Sequence, residues 1–242
     1  MMLRNTLLKR ALVVFTAISM YCMSAAADRH LEVGGYLTTT TVLDDSFEFF
    51  TTDYMVLDHW GLDLRAEVLE IRDTLHLLPF VSYRYTSTNG SPMLTYEPMD
   101  TALSMHDVDA GLRGRVWFLP WLGAYTQLYT GISRVFMSGE INNGGESGML
   151  NEYRDKSTEW NIGAGLGVEV RLSPWLLEKS NIRRFNFGGE LGVGFIKRTE
   201  TKFNPTLEGG DDLSLTNVHT TQFGSVDLSG VVFQMGLTIS FL

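Results

Sequence analysis

The chain has 242 residues, 44% apolar and 12% aromatic, with 24 glycines, 6 prolines and a single cysteine, a balance that excludes both a disordered and a collagen-like chain and allows one or two domains. Its 28 acidic residues outnumber 19 lysines and arginines for a formal charge of -9. No basic face is clustered, so nucleic acid is excluded as the main partner.

Residues 1–27 read as a secretory signal: a basic start (Arg4, Lys9, Arg10), an apolar run from Ala11 to Met23, and Ser24-Ala25-Ala26-Ala27 before a cleavage expected at Asp28. The apolar run is about 13 residues, short of the roughly 20 that a spanning helix needs. Cys22 follows Tyr21 and Met20, too bulky for a lipoprotein cleavage site. The mature domain, residues 28–242, would then carry no cysteine and 16 basic against 28 acidic residues, a net of -12, and its stability must come without disulfides.

After the signal, apolar and polar residues alternate with a period of two, the pattern of strands with unlike faces. In chain order, strands are predicted over Leu31–Val42, Trp60–Val68, Pro79–Thr88, Asp107–Phe118, Gly123–Met137, Trp160–Leu172, Phe185–Phe195 and Val231–Phe241. The clearest alternation sets Trp160, Ile162, Ala164, Leu166, Val168, Val170 and Leu172 against Asn161, Gly163, Gly165, Gly167, Glu169 and Arg171. Connections alternate between long (43–57, 89–103, 138–158, 200–222) and shorter (73–77, 119–122, 174–183). Segregation of long and short connections to opposite ends predicts an all-β, eight-stranded antiparallel up-and-down transmembrane β-barrel, with both termini at the short-turn end. A ten-stranded solution would recruit Ser46–Leu57 as an extra hairpin.

The polar face decides which side meets water. A solvated exterior favours lysine, yet the lysines after the signal (Lys156, Lys179, Lys197, Lys202) fall in loops or at strand ends. Small residues with arginines and carboxylates suit a crowded eight-strand interior instead. The expected lumen network is Asp63, Glu67, Asp107, Asp109, Glu169 and Glu190 with Arg65, Arg84, Arg113, Arg115 and Arg171, near neutral and able to pair through forked hydrogen bonds. It either closes the lumen or lines a charged water path. Trp60, Trp117, Trp121, Trp160 and Trp175 all fall at predicted strand ends, which reads as two interfacial aromatic girdles, although Trp117 has inward parity.

The last strand, Val231 to Phe241, places Phe233, Met235, Leu237, Ile239 and Phe241 at alternate positions. With the signal and the eight strands, it resembles the small outer-membrane barrels of Gram-negative bacteria, of the OmpA membrane-domain, OmpX and OmpW kind. That resemblance implies an outer-membrane location, outer-membrane lipid and lipopolysaccharide as surroundings, and recognition of the last strand by the barrel-assembly machinery. Leu242 lies one residue beyond the family's usual aromatic end. The resemblance is specific for fold and unspecific for activity.

Enzymatic barrels of this architecture would place nucleophile and base at the outer rim. His106 with Ser104 and His219 with Ser225 lack the supporting carboxylate motif of lipid A deacylases, and Asp107-Val-Asp109 echoes only the first aspartate pair of the ten-stranded omptin proteases. The five histidines show no metal-ligand spacing. The acidic, glycine-rich stretches Glu140–Glu152 and Glu208–Asp212 match no calcium-loop pattern. Phe47, Phe49 and Phe50 are unusual for a loop and read as continued structure or an apolar contact. The sequence therefore predicts no catalytic residues, cofactor or metal, and a structural role with surface contacts through loops 138–158 and 200–222. A narrow channel for ions or small apolar solutes is the alternative, and a lipid-modifying enzyme the third reading.

Overall fold

In the computed structural model, described residues are 31–44, 47, 55–71, 74–90, 93–94, 97–142, 150–172, 185–202, 206–208 and 225–241. The signal segment, Phe49, Phe50, Trp175, Lys179 and His219 lie outside them, as do the side chains of the acidic stretches Glu140–Glu152 and Glu208–Asp212.

Eight long strands carry the fold: β1 (Leu31–Val42), β2 (Val56–Ala66), β3 (Leu75–Gly90), β4 (Glu97–Leu119), β5 (Leu122–Asn142), β6 (Leu150–Arg171), β7 (Phe185–Arg198) and β8 (Gly230–Phe241). Each pairs antiparallel with its sequence neighbours, and β1 pairs with β8 from Leu31↔Phe241 to Val42↔Gly230. The sheet is a closed barrel of eight strands, so the ten-strand alternative does not hold. Closure removes the unpaired edges that a sheet otherwise presents.

The register fixes the stagger. Following paired residues around the wall leads from Glu32 through Arg65, Phe80, Gly111, Tyr129, Gly163, Ile196 and Gly230 to Val42, so one circuit returns ten residues further along β1. Such a shear tilts the strands and opens the interior enough for large side chains to meet across it.

Three expectations need correction. Segment 138–158 is not a loop through its length, because β5 runs on to Asn142 and β6 begins at Leu150; likewise β4 begins at Glu97, inside the segment read as 89–103. The cause is an inversion of the two faces. Within the belt the outward positions are apolar: Leu37, Leu62, Val108, Leu128, Ile162, Leu166, Leu191, Met235 and Leu237 are all exposed. Beyond it, apolar residues switch to the inward positions, where Val42, Phe47, Leu57, Leu103, Met105, Val135, Met137, Val226 and Leu228 form a buried cluster. Phe47 therefore belongs to an apolar cap inside the long-loop end. The third correction is at Trp60–Val68, where β2 ends at Ala66, and Val68 donates its N–H to the Leu77 carbonyl at 3.0 Å. A short strand, Leu69–Ile71, pairs with the start of β3 and extends this hairpin from the short-turn rim.

Candidate functional site: the charged lumen

Every residue of the predicted network lies on an inward position of its strand or, for Glu67, just beyond one. Two clusters form. In the lower one, towards the short turns, Arg65 donates to Asp63 Oδ2 at 2.6 Å and to Glu190 Oε2 at 2.9 Å. Arg113 reaches the same Glu190 oxygen at 2.6 Å and Gln127 Oε1 at 2.8 Å, and Gln234 donates to Glu190 Oε1 at 2.7 Å. Arg115 forks onto both oxygens of Glu32, at 2.7 and 2.5 Å, with its Nε 2.8 Å from Glu169 as an ion pair lacking hydrogen-bond alignment.

In the upper cluster Arg84 donates to Asp109 at 2.6 Å and lies 3.3 Å from Asp107, which accepts from Arg198 at 2.8 Å. Asp107 and Asp109 are thus each held by an arginine. Arg65, Arg113, Arg115 and Arg198 are at most 1% exposed, and a charge so buried is tolerable only with opposite charge and hydrogen bonds at hand.

Aromatic rings fill the space between. Arg113 stacks on Tyr125 at 4.0 Å and Arg84 lies over Tyr129 at 5.3 Å. The rings fit because the facing strands carry glycine: a Cβ at Gly163 would collide with the Tyr129 ring, and one at Gly167 with that of Tyr125. A cavity of about 30 Å³ remains between the clusters, bordered by Tyr36, Asp63, Arg84, Tyr125 and Tyr129.

At the short-turn mouth, Trp117 is buried and turns inward, with the Arg171 guanidinium 3.8 Å above its ring and that of Arg115 at 5.5 Å. It is not a girdle residue. Its inward parity wins because a guanidinium stack occupies the ring face there. Trp60, Trp121 and Trp160 do point outward, at 49%, 40% and 49% exposure, and Trp160 sits well inside β6 rather than at its start. Glu67 faces His76, with Oε2 3.1 Å from Nδ1. His106 is on the outward face, where its Nδ1 meets the Tyr83 hydroxyl at 2.7 Å beside Tyr85 and Phe136.

Sequence reasoning left out Glu32, Arg198 and His76. Glu32 shares the inward parity of Tyr36, and Arg198 continues the series Glu190, Gly192, Gly194, Ile196 beyond the predicted strand end. Carrying the β7 alternation three residues past Phe195 finds Arg198, whereas Glu32 lies inside the predicted first strand and follows from its parity.

Large apolar side chains encircle the outside while charges pair inside, the inverse of a water-soluble barrel. The fold is that of a small outer-membrane β-barrel. No protein-family model matches the sequence, and neither does any curated protein sequence. Among solved structures, the chain is similar to neisserial surface protein A (9% identity over 89% of this chain and 97% of that one, TM-score 0.44). It is also similar to Ail, the attachment invasion locus protein of Yersinia pestis (12% identity, 88% and 97%, TM-score 0.39), and to the outer membrane protease OmpT from Escherichia coli (8% identity, 88% and 96%, TM-score 0.48). Identities this low leave the role of each residue to the geometry of this chain.

Proposed function

We propose that this protein is a non-enzymatic barrel of a Gram-negative outer membrane, held closed by its lumen pairs, that supports envelope integrity and makes surface contacts at its long-loop end. The observation that carries the reading is the succession of interior layers: the mouth ring of Trp117 and Arg171, the lower ion pairs, the tyrosines, the upper ion pairs and the apolar cap. An ion passing through would have to separate buried pairs and then cross a desolvating cap, and each step is costly. The non-enzymatic reading draws on Asp107 and Asp109 being bound by Arg198 and Arg84, and on His106 facing outward among aromatic rings.

In this reading Trp60, Trp121 and Trp160 mark the membrane interfaces, and outer-membrane lipid and lipopolysaccharide surround the apolar belt. Phe233, Met235, Leu237, Ile239 and Phe241, all exposed along β8, present the strand to the barrel-assembly machinery. Surface contacts would use the polar outer faces of β5 and β6 above the belt, where Tyr85, Phe136, Arg154 and Lys156 border a groove of about 550 Å³, together with segment 200–222.

Single-channel recording of the refolded mature protein, residues 28–242, in planar bilayers tests the reading. Electrical silence over a wide voltage range is the expected result. Reproducible discrete steps would overturn it in favour of a narrow channel.

A further inference from the structure

The hairpin at the short-turn rim carries three metal-capable side chains within ten residues. Glu70 on the short strand Leu69–Ile71 stands directly opposite His76 on β3, and Glu67 lies at the end of β2 just before that strand. One donor atom from each of Glu67, Glu70 and His76 falls within 4.8 Å of the others. Glu67 and His76 are buried and Glu70 is exposed, so the group straddles the boundary between the lumen mouth and solvent.

A second observation points to a ligand. His76 is 5% exposed, yet neither ring nitrogen makes a hydrogen bond, and its Nδ1 is aimed at Glu67. A buried imidazole whose Nε2 has no partner, and whose Nδ1 has only a poorly aligned carboxylate, is costly unless something else occupies the position. The hairpin is also held in place. Besides the Val68–Leu77 bond, Thr74 donates to Ile71 at 3.3 Å and accepts from the Trp117 N–H at 2.9 Å, which ties the turn to β4. The group borders a cavity of about 430 Å³ at the mouth, which leaves room for water or another small ligand to complete a coordination shell.

We propose that Glu67, Glu70 and His76 form a binding site for a first-row divalent transition cation at the short-turn mouth of the barrel. One imidazole nitrogen with two carboxylate oxygens is a donor set that such ions accept, whereas calcium is bound through oxygen alone. Three protein donors on a fixed hairpin leave at least one position open to the cavity. Arg171 borders the same cavity and stays stacked on Trp117. The site adjoins the lower end of the arginine–carboxylate lattice, since Glu32 borders the same cavity, but does not depend on the lumen being closed.

The test is calorimetric titration of zinc into the untagged mature protein, refolded in detergent and freed of metal. One equivalent is expected to bind, with a raised unfolding temperature, and tenfold excess calcium should leave the binding in place. Glu70→Gln, at an exposed position that does not threaten folding, should weaken zinc at least tenfold, and His76→Ala should abolish stoichiometric binding. Absence of one-equivalent binding would overturn the proposal. So would unchanged affinity in folded Glu70→Gln, or displacement of zinc by calcium.

Discussion

Arg65 and Glu190 stand 125 residues apart in the chain and 2.9 Å apart in the barrel, joined by a hydrogen-bonded ion pair that neither neighbouring strand could supply alone. Arg113 reaches the same carboxylate from β4. Glu190 is therefore the meeting point of β2, β4 and β7.

Removing one arm of this junction should be costly. Arg113→Ala leaves Gln127 and part of Glu190 without a donor and is expected to lower unfolding free energy by about 3–5 kcal/mol, measured by urea titration in liposomes. Replacing both Arg113 and Glu190 by methionine should cost less than the two single changes together, since Arg65 keeps Asp63 at 2.6 Å. Additive losses would refute the pairing.

The tyrosine layer depends on facing glycines. Gly163→Ala should destabilise the barrel by about 1–3 kcal/mol through overpacking against Tyr129. In a Tyr129→Leu background the same change should cost little. An equal cost in both backgrounds would show that the backbone, not the ring, sets the requirement.

Tryptophan fluorescence separates inward from outward rings. In variants retaining one tryptophan each, brominated lipids should quench Trp60, Trp121 and Trp160 and spare Trp117, which is 8% exposed and covered by Arg171. Strong quenching of Trp117 would place it in the belt after all.

Fold and site were legible in the sequence to different depths. The strands could be read because each sees two solvents, and a period of two survives wherever one face is apolar, as at Trp160–Leu172. The inward charges followed from the same parity. Strand extension was hidden because the faces exchange roles above the belt: Met105 and Val135 point inward where Asp107 and Ser133 had done so, and the reversal reads as an end. Glu32 was obscured by the run of threonines from Thr38 to Thr41, which blurs the alternation of β1. Trp117 was misassigned because residue type was allowed to outweigh parity. The Glu67–Glu70–His76 group was invisible because its spacing becomes meaningful only once the hairpin register is known.

The apolar cap should be separable from the barrel below it. Met105→Asp buries a carboxylate among Val42, Leu57, Val135 and Leu228, where Arg198, which donates to the Leu228 carbonyl, is already held by Asp107. Proteolysis at the long-loop end is expected to accelerate while the protein keeps its compact, heat-modifiable gel mobility. Loss of that mobility would show that cap and barrel fold as one unit.

One surface contact near the cap gives a signed pH dependence. Burial pushes the Asp227 carboxyl up, but hydrogen bonds from Lys197 and Ser229 outweigh it and hold the group below its ordinary value of 3.8. A depressed folded value means that the contribution is present above that ordinary value and fades as pH falls through the lower folded one. Because the pair is exposed, Asp227→Asn should cost only about 0.2–1 kcal/mol at neutral pH, and the difference from wild type should vanish in strong acid. A difference that grows on acidification would contradict the assignment.

The ten-residue stagger has a kinetic side. Glu32 on the first strand takes its partners from β4, through Arg115, and from the last strand, through the Ser240 hydroxyl at 3.3 Å, 208 positions away. Until the first and last strands zip together, that carboxylate has only part of its company. Contacts of such separation in sequence are the slowest to form. The seam between the two ends of the chain thus works as a latch: the electrostatic core reaches its full complement of partners only when the cylinder shuts, which makes closure and core assembly one cooperative event.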